Sequence, residues 1–147
     1  MTKTVGSCCE KETLAKAAEI MWKKDCGVVP IVNDELKVTG MITDRDICIA
    51  VASRNQTAGE IPVAEIVSGK IFKCSEKDDL KDVLKMMKRR KIKRLPVTDK
   101  NGKLVGIVSL SDILLRTGKD KKLKKKILKT LEAISKPRPI VLKAVQS

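Results

Sequence analysis

The chain has 147 residues, of which 42% are hydrophobic, yet it holds one Trp, one Phe and no Tyr, so its core must be aliphatic. It contains no His, which removes the commonest general acid–base group and the commonest metal ligand, and its five cysteines (Cys8, Cys9, Cys26, Cys48, Cys74) form no C-x-x-C pair, so no metal site is expected. The net charge of +14 is uneven: residues 1–69 carry 8 Lys/Arg against 10 Asp/Glu, and residues 70–147 carry 24 against 8. Such an imbalance points to an anionic partner near the second half.

The first residues include Lys3, Glu10, Lys11 and Glu12 and no long apolar core of the kind a signal peptide has, so no signal peptide is read. No stretch approaches the roughly 18 apolar residues a membrane span needs. A cytoplasmic protein without membrane contact is expected, its cysteines serving as small buried hydrophobes in a reducing compartment.

An internal repeat organises the chain. At an offset of 66 residues Leu14 falls on Leu80, Met21 on Met87, Pro30 on Pro96, Lys37 on Lys103, Gly40 on Gly106, Asp46 on Asp112 and Ile47 on Ile113, without a gap. These seven are the identities in a window of 34 positions, but the polarity pattern matches nearly throughout. Upstream, Cys8, Glu10 and Lys11 fall on Cys74, Glu76 and Lys77.

In chain order, each copy opens on a short apolar run expected as a strand, Thr4-Val5 or Ile71-Phe72. An amphipathic helix follows, with Leu14, Ala17, Ala18 and Met21, or Leu80, Val83, Leu84 and Met87, at helical spacing. Thr13 and Asp79 stand at the N-cap position. Two strands come next, 28–32 and 36–43 in the first copy, 94–98 and 104–109 in the second. The links Asn33-Asp34-Glu35 and Asp99-Lys100-Asn101-Gly102 make each pair a hairpin. A second helix begins near Asp44 and near Ser111.

Each copy is therefore β-α-β-β-α, too small to bury a stable core alone, so the two are expected to pack face to face. The expected class is α+β: repeat one over 1–58, repeat two over 59–118, and a basic amphipathic helix with an extended tail over 119–147. Gly59 and Pro62 break the chain within a linker at 56–62. In the last segment Leu123, Ile127, Leu131 and Ile134 share one face, and seven lysines fall within 119–129.

One motif carries chemistry. Thr43 and Ser109 end a strand and open a helix, with Asp46 and Asp112 three residues on. Amides in a helix's first turn favour an anion, and a carboxylate there can accept two hydrogen bonds from the vicinal diol of a ribose. The same spacing is also a plain capping box. Both readings stand at this point.

Taken together, Val29-Pro30-Ile31 with Gly40-Met41-Ile42-Thr43-Asp44-Arg45-Asp46, and Leu95-Pro96-Val97 with Gly106-Ile107-Val108-Ser109-Leu110-Ser111-Asp112, resemble the CBS domain family. The resemblance covers about residues 1–118. It implies a pseudo-twofold pair of repeats binding an adenosyl ligand (AMP, ADP, ATP, S-adenosylmethionine or NAD) in the cleft between them. Carried over residue by residue, it assigns Thr43, Asp46, Ser109 and Asp112 to ribose and phosphates. It assigns Val5, Ile71, Val29, Pro30, Leu95 and Pro96 to the adenine walls. Arg45, Lys93 and Arg94 are the basic candidates for phosphate contact. Ser109 in place of Thr is a mild departure.

The function implied is a non-catalytic regulatory sensor with a nucleotide as regulatory ligand and no required cofactor. A homodimer is expected, with an effector protein as a further partner. The alternative is a basic protein that binds nucleic acid or a partner protein through its second repeat and lysine-rich helix. The scarcity of aromatics argues against base stacking, so nucleic-acid binding would be non-specific. An enzyme is the weakest reading, since neither a P-loop nor a nucleophile beside a visible base is present.

Overall fold

A computed structural model describes residues 5–67 and 70–138. The elements of the first repeat are β1 (Cys8–Cys9), α1 (Leu14–Lys24), β2 (Val28–Val32), β3 (Val38–Thr43) and α2 (Asp44–Arg54). After a 3-10 turn at Val63–Glu65 come β4 (Cys74–Ser75), α3 (Leu80–Arg90), β5 (Arg94–Thr98), β6 (Leu104–Ser109), α4 (Leu110–Arg116) and α5 (Lys121–Ser135). This is the expected α+β order with a C-terminal helix. The lead-in strands differ from expectation. They are Cys8–Cys9 and Cys74–Ser75, four and three residues further along than the apolar runs; Val5, Ile71 and Phe72 lie in irregular backbone, and Thr4 lies outside the described residues. Each pairs in parallel with the Pro-containing strand, Cys8 opposite Ile31 and Cys74 opposite Val97, and this long-range pairing sets the strand.

Each repeat makes one three-stranded sheet, ordered β1-β2-β3 and β4-β5-β6. The two sheets meet where their hairpins turn. Lys37 bridges Lys103, its own equivalent, in antiparallel pairing. The Val38 amide donates to the Gly102 carbonyl at 3.2 Å, and the Leu104 amide donates to the Leu36 carbonyl at 3.2 Å. Positions 36 and 102 are equivalent, as are 38 and 104, so the two bonds are copies of one another. A pseudo-twofold axis therefore passes through the Lys37–Lys103 bridge.

Each repeat has its own aliphatic core. The first gathers Cys8, Leu14, Ala17, Met21, Val29, Ile31, Ile42, Ala50, Ile61 and Val63; the second gathers Cys74, Val83, Leu84, Met87, Leu95, Val97, Leu110, Ile113 and Ile127. Ile61 and Val63 lie within the expected linker or beyond the expected start of repeat two at 59, yet they pack on repeat one. The linker is also hydrogen-bonded. The Leu14 amide donates to Ile61 and the Ala15 amide to Ala58, both at 3.0 Å. Linker carbonyls thus cap α1, and the Thr13 side chain makes no cap bond, whereas Asp79 caps α3 by accepting from the Lys81 amide. Gly40 has a packing reason: a Cβ there would stand 1.9 Å from Cγ1 of Val67.

Among the cysteines, Cys8 and Cys74 are buried as expected, and burial pushes their thiols up to about 12 and about 11. Cys26 and Cys48 are exposed, contrary to the buried reading. In α5, Ile127 enters the second core while Leu123 and Ile134 pack against it. Leu131, expected on that face, is 40% exposed. The buried Thr130 hydroxyl is satisfied by donating to the Lys126 carbonyl at 2.9 Å. Asp120 caps the helix start by accepting from the Leu123 amide, and Lys91 donates to the carbonyls of Lys136 and Pro137 at its end.

The symmetry exposes one strained residue. Leu36 sits at φ 61°, where its equivalent Gly102 sits at φ 80°. A side chain in this left-handed region costs about 1–2 kcal/mol, and Leu36 is 58% exposed, so little packing offsets it. Leu36→Gly is expected to raise stability by about 1 kcal/mol, read as a higher urea midpoint at an unchanged m-value.

Candidate functional site

The two Thr/Ser–Asp motifs form the same structure twice. Thr43 is the last residue of β3 and the N-cap of α2; Ser109 is the last of β6 and the N-cap of α4. The Thr43 hydroxyl donates to Oδ2 of Asp46 at 2.6 Å and the Thr43 amide to the same oxygen at 2.9 Å. The Asp46 amide donates back to Thr43 Oγ1 at 3.2 Å. In the second repeat the three distances are 2.8, 3.0 and 3.0 Å. Both motifs are complete capping boxes. The cap uses only Oδ2 of each acid; among the described residues Oδ1 of Asp46 and of Asp112 accepts no protein hydrogen bond. The capping role and a ligand-accepting role are therefore compatible.

The antiparallel join sends β3 and β6 in opposite directions from the axis. The two caps consequently stand on opposite sides of it as separate, symmetry-related positions. The basic residues divide between them. Arg45 is exposed in the first turn of α2, where its neighbour Asp44 accepts from its amide. Arg94 is the register partner of Ser109, and the Lys93 carbonyl accepts from the Leu110 amide at 2.9 Å, so both cations flank the second cap. Their equivalents beside the first cap are Gly27 and Val28. Only the second cap has basic side chains at the start of the adjoining strand.

The expected apolar walls are unequally accessible. Val29, Pro30, Leu95 and Pro96 are fully buried. Val5 and Ile71 are half-buried and keep accessible surface. A groove of about 580 Å³ lies elsewhere, between α1 and α2, lined by Ala18, Met21, Trp22, Asp25, Asp44 and Ile47 among others. Sequence reasoning did not find it. The signal was Trp22, the one tryptophan, standing next to the apolar face of α1 and 88% exposed.

Burial raises the affinity of Asp112 for its proton, but the hydrogen bonds from the Ser109 hydroxyl and amide outweigh it and hold the carboxyl below its ordinary value of 3.8. A lowered folded pKa contributes stability that is in full force above the unfolded value and is lost as pH falls through the folded one. The melting-temperature gap between wild type and Asp112→Asn is therefore expected to hold near neutrality and to shrink below about pH 4. A gap independent of pH would refute this assignment.

The CBS domain family profile matches residues 1–53 and 63–117. The chain belongs to the CBS-domain family. Among curated relatives of this CBS protein, MK0525, an uncharacterized protein of Methanopyrus kandleri, is 37% identical over 103 residues, 70% of this chain and 53% of that one. The CBS domain-containing protein YhcV of Bacillus subtilis is 34% identical over 113 residues, 77% of this chain and 79% of its own. The chain thus spans about half the length of the Methanopyrus relative.

Solved structures agree in fold. Hypoxic Response Protein I, solved with two coordinated zinc ions, matches at TM-score 0.72 and 31% identity over 79% of this chain and 93% of that one. The CBS domain pair of MJ0100, in complex with 5'-methylthioadenosine and S-adenosylmethionine, matches at 0.70 and 26% over 80% and 94%. PAE2072 from Pyrobaculum aerophilum, complexed with AMP, matches at 0.72 and 22% over 87% and 94%. Among the described residues of the present chain, no three His, Cys, Asp or Glu side chains come together in a way that could hold a metal ion. Among them, too, no helix is long and apolar enough to cross a membrane.

Proposed function

We propose that this CBS pair is a non-catalytic regulatory module that binds an adenosyl ligand in the cleft between its repeats, at the Thr43–Asp46 and Ser109–Asp112 caps. The observation that carries the proposal is the duplicated carboxylate with one oxygen held by the cap and one free. A free carboxylate oxygen, fixed in place by its partner's bonds, suits a ribose diol. The AMP, S-adenosylmethionine and methylthioadenosine of the two solved relatives support the adenosyl class. Lys93 and Arg94 match the second cap to a phosphate-bearing ligand; the first, with Arg45 beside Asp44, suits a less anionic one. Val5 and Ile71 offer accessible wall, while Val29, Pro30, Leu95 and Pro96 support it from within. The protein acts in the cytoplasm, as a homodimer whose state an effector protein reads, and ligand biases the placement of the two repeats.

A melting screen of AMP, ADP, ATP, S-adenosylmethionine and NAD identifies the ligand; one present at 100 times its Kd adds about 2.7 kcal/mol of stability. Calorimetric titration of that ligand into Asp46→Asn and Asp112→Asn then tests the site. Asn can keep the cap through its carbonyl but replaces the free acceptor with a donor. Affinity is expected to fall about tenfold at each working site, for one lost charge-assisted bond, while each variant stays folded with only the small melting-temperature loss that the weakened cap brings. A folded double variant that binds as tightly as wild type would rule out the ribose assignment.

A second reading rests on the seven lysines within 119–129, none of which is ion-paired among the described residues. Any nucleic-acid binding through them is expected to be non-specific. Its affinity should drop about 0.9 log units per log unit of salt for each phosphate contacted. Tight, sequence-selective binding at physiological salt in a shift assay would reverse the ranking of the two readings.

A further inference from the structure

The pseudo-twofold axis allows the two helical faces to be compared position by position. In repeat two the face of α3 and α4 is covered. Leu84, Met87, Leu110 and Ile113 are buried there with Ile127 of α5. Their equivalents in repeat one are Ala18, Met21, Asp44 and Ile47, and all four line the open groove. A helix thus fills in one repeat the seat that stands empty in the other. The chain's own α5 is committed, since it packs on α3 and α4 and its C-terminal end is tied to Lys91.

The ends of the two seats differ in charge. In repeat two Lys91 donates to the carbonyls at the end of α5. Its equivalent in repeat one is Asp25, and with Asp44 it makes this end of the groove acidic. The groove therefore suits an apolar strip flanked by cations. α5 presents such a strip on its outer flank: Lys124, Leu128 and Leu131 recur at i, i+4 and i+7, with Leu128 56% and Leu131 40% exposed. Spacing of this kind puts the three side chains along one line of a helix.

We propose that a second copy of this chain docks the outer flank of its α5 in the groove between α1 and α2. Leu128 and Leu131 lie against Ala18, Trp22 and Ile47, with Lys124 toward Asp25 and Asp44. The twofold repeats the contact: each copy's α5 enters the other's groove, and the assembly closes as a dimer. The groove explains the exposed Trp22, and the docked strip explains two exposed leucines on a helix whose other apolar face is already used. This interface rests on the homodimer reading only in needing a second copy, and it is independent of the ligand at the caps.

Sedimentation velocity at tens of micromolar tests it, alongside emission from Trp22, the sole tryptophan. Wild type is expected to be dimeric, with emission shifting to the blue as concentration rises. The double variant Leu128→Glu/Leu131→Glu changes only exposed positions. It should keep its circular dichroism and melting temperature while associating at least about tenfold more weakly, with Trp22 emission red at every concentration. Trp22→Lys should weaken association likewise from the other side of the contact. A dimer unaffected by the α5 changes overturns this interface and leaves the homodimer reading standing. A wild-type monomer at these concentrations overturns both.

Discussion

The antiparallel join at Lys37 and Lys103 is the constraint on which the rest of the structure depends. It is small, a bridge and two backbone hydrogen bonds, but it fixes an axis. Each repeat buries its own core, and neither core is large. Pairing the hairpin ends shields backbone groups that a three-stranded sheet would otherwise leave open to another chain. It also orients the two repeats so that their helix caps diverge from the join. The price is strain at one position, Leu36, where the turn geometry that Gly102 adopts freely is imposed on a side chain.

The two halves have kept one backbone and divided their chemistry. The caps are identical in hydrogen bonding, yet the start of the strand beside the second is Lys93-Arg94 where the first has Gly27-Val28. The helical faces differ in the same way. Leu110 in the second repeat seals a core, while Asp44 in the first keeps its groove polar at one end. A duplicated unit that stayed symmetric would offer two equal sites and two equal faces. This chain has two like caps in unlike surroundings, one covered face and one open one.

Features set by local rules were legible in the sequence. α1 and α3 follow from apolar spacing, and the capping boxes follow from residues three apart whose partners are each other. β2, β5 and β6 fall at the expected bounds because alternating or wholly apolar runs end at turn residues. β1 and β4 were misplaced because two residues carry no periodicity; only pairing with β2 and β5, 23 residues away, defines them. The better signal was the match of Cys8 to Cys74 across the repeat. α5 was legible as an amphipathic helix, but its destination was not. Periodicity says that a face needs burying and is silent on where, and Leu131 falls at the edge of that face. The groove at α1 and α2 was hidden for the same reason: a missing covering helix leaves no mark in the segment it fails to cover.

The staple between the linker and α1 bears on how far each repeat is autonomous. The amides of Leu14 and Ala15 begin a helix beside a fully buried Leu14, and their acceptors are the carbonyls of Ile61 and Ala58. A buried donor left without its acceptor costs about 1–3 kcal/mol. The repeat boundary drawn by homology is therefore not the boundary of the folding unit. A fragment cut after residue 58 would lose the Ile61 acceptor along with the apolar plug of Ile61 and Val63, so any first-half fragment must run to about Val67 to keep its core whole. The same staple joins the linker to α1, so any displacement of residues 58–63 would deprive the first turn of α1 of two acceptors.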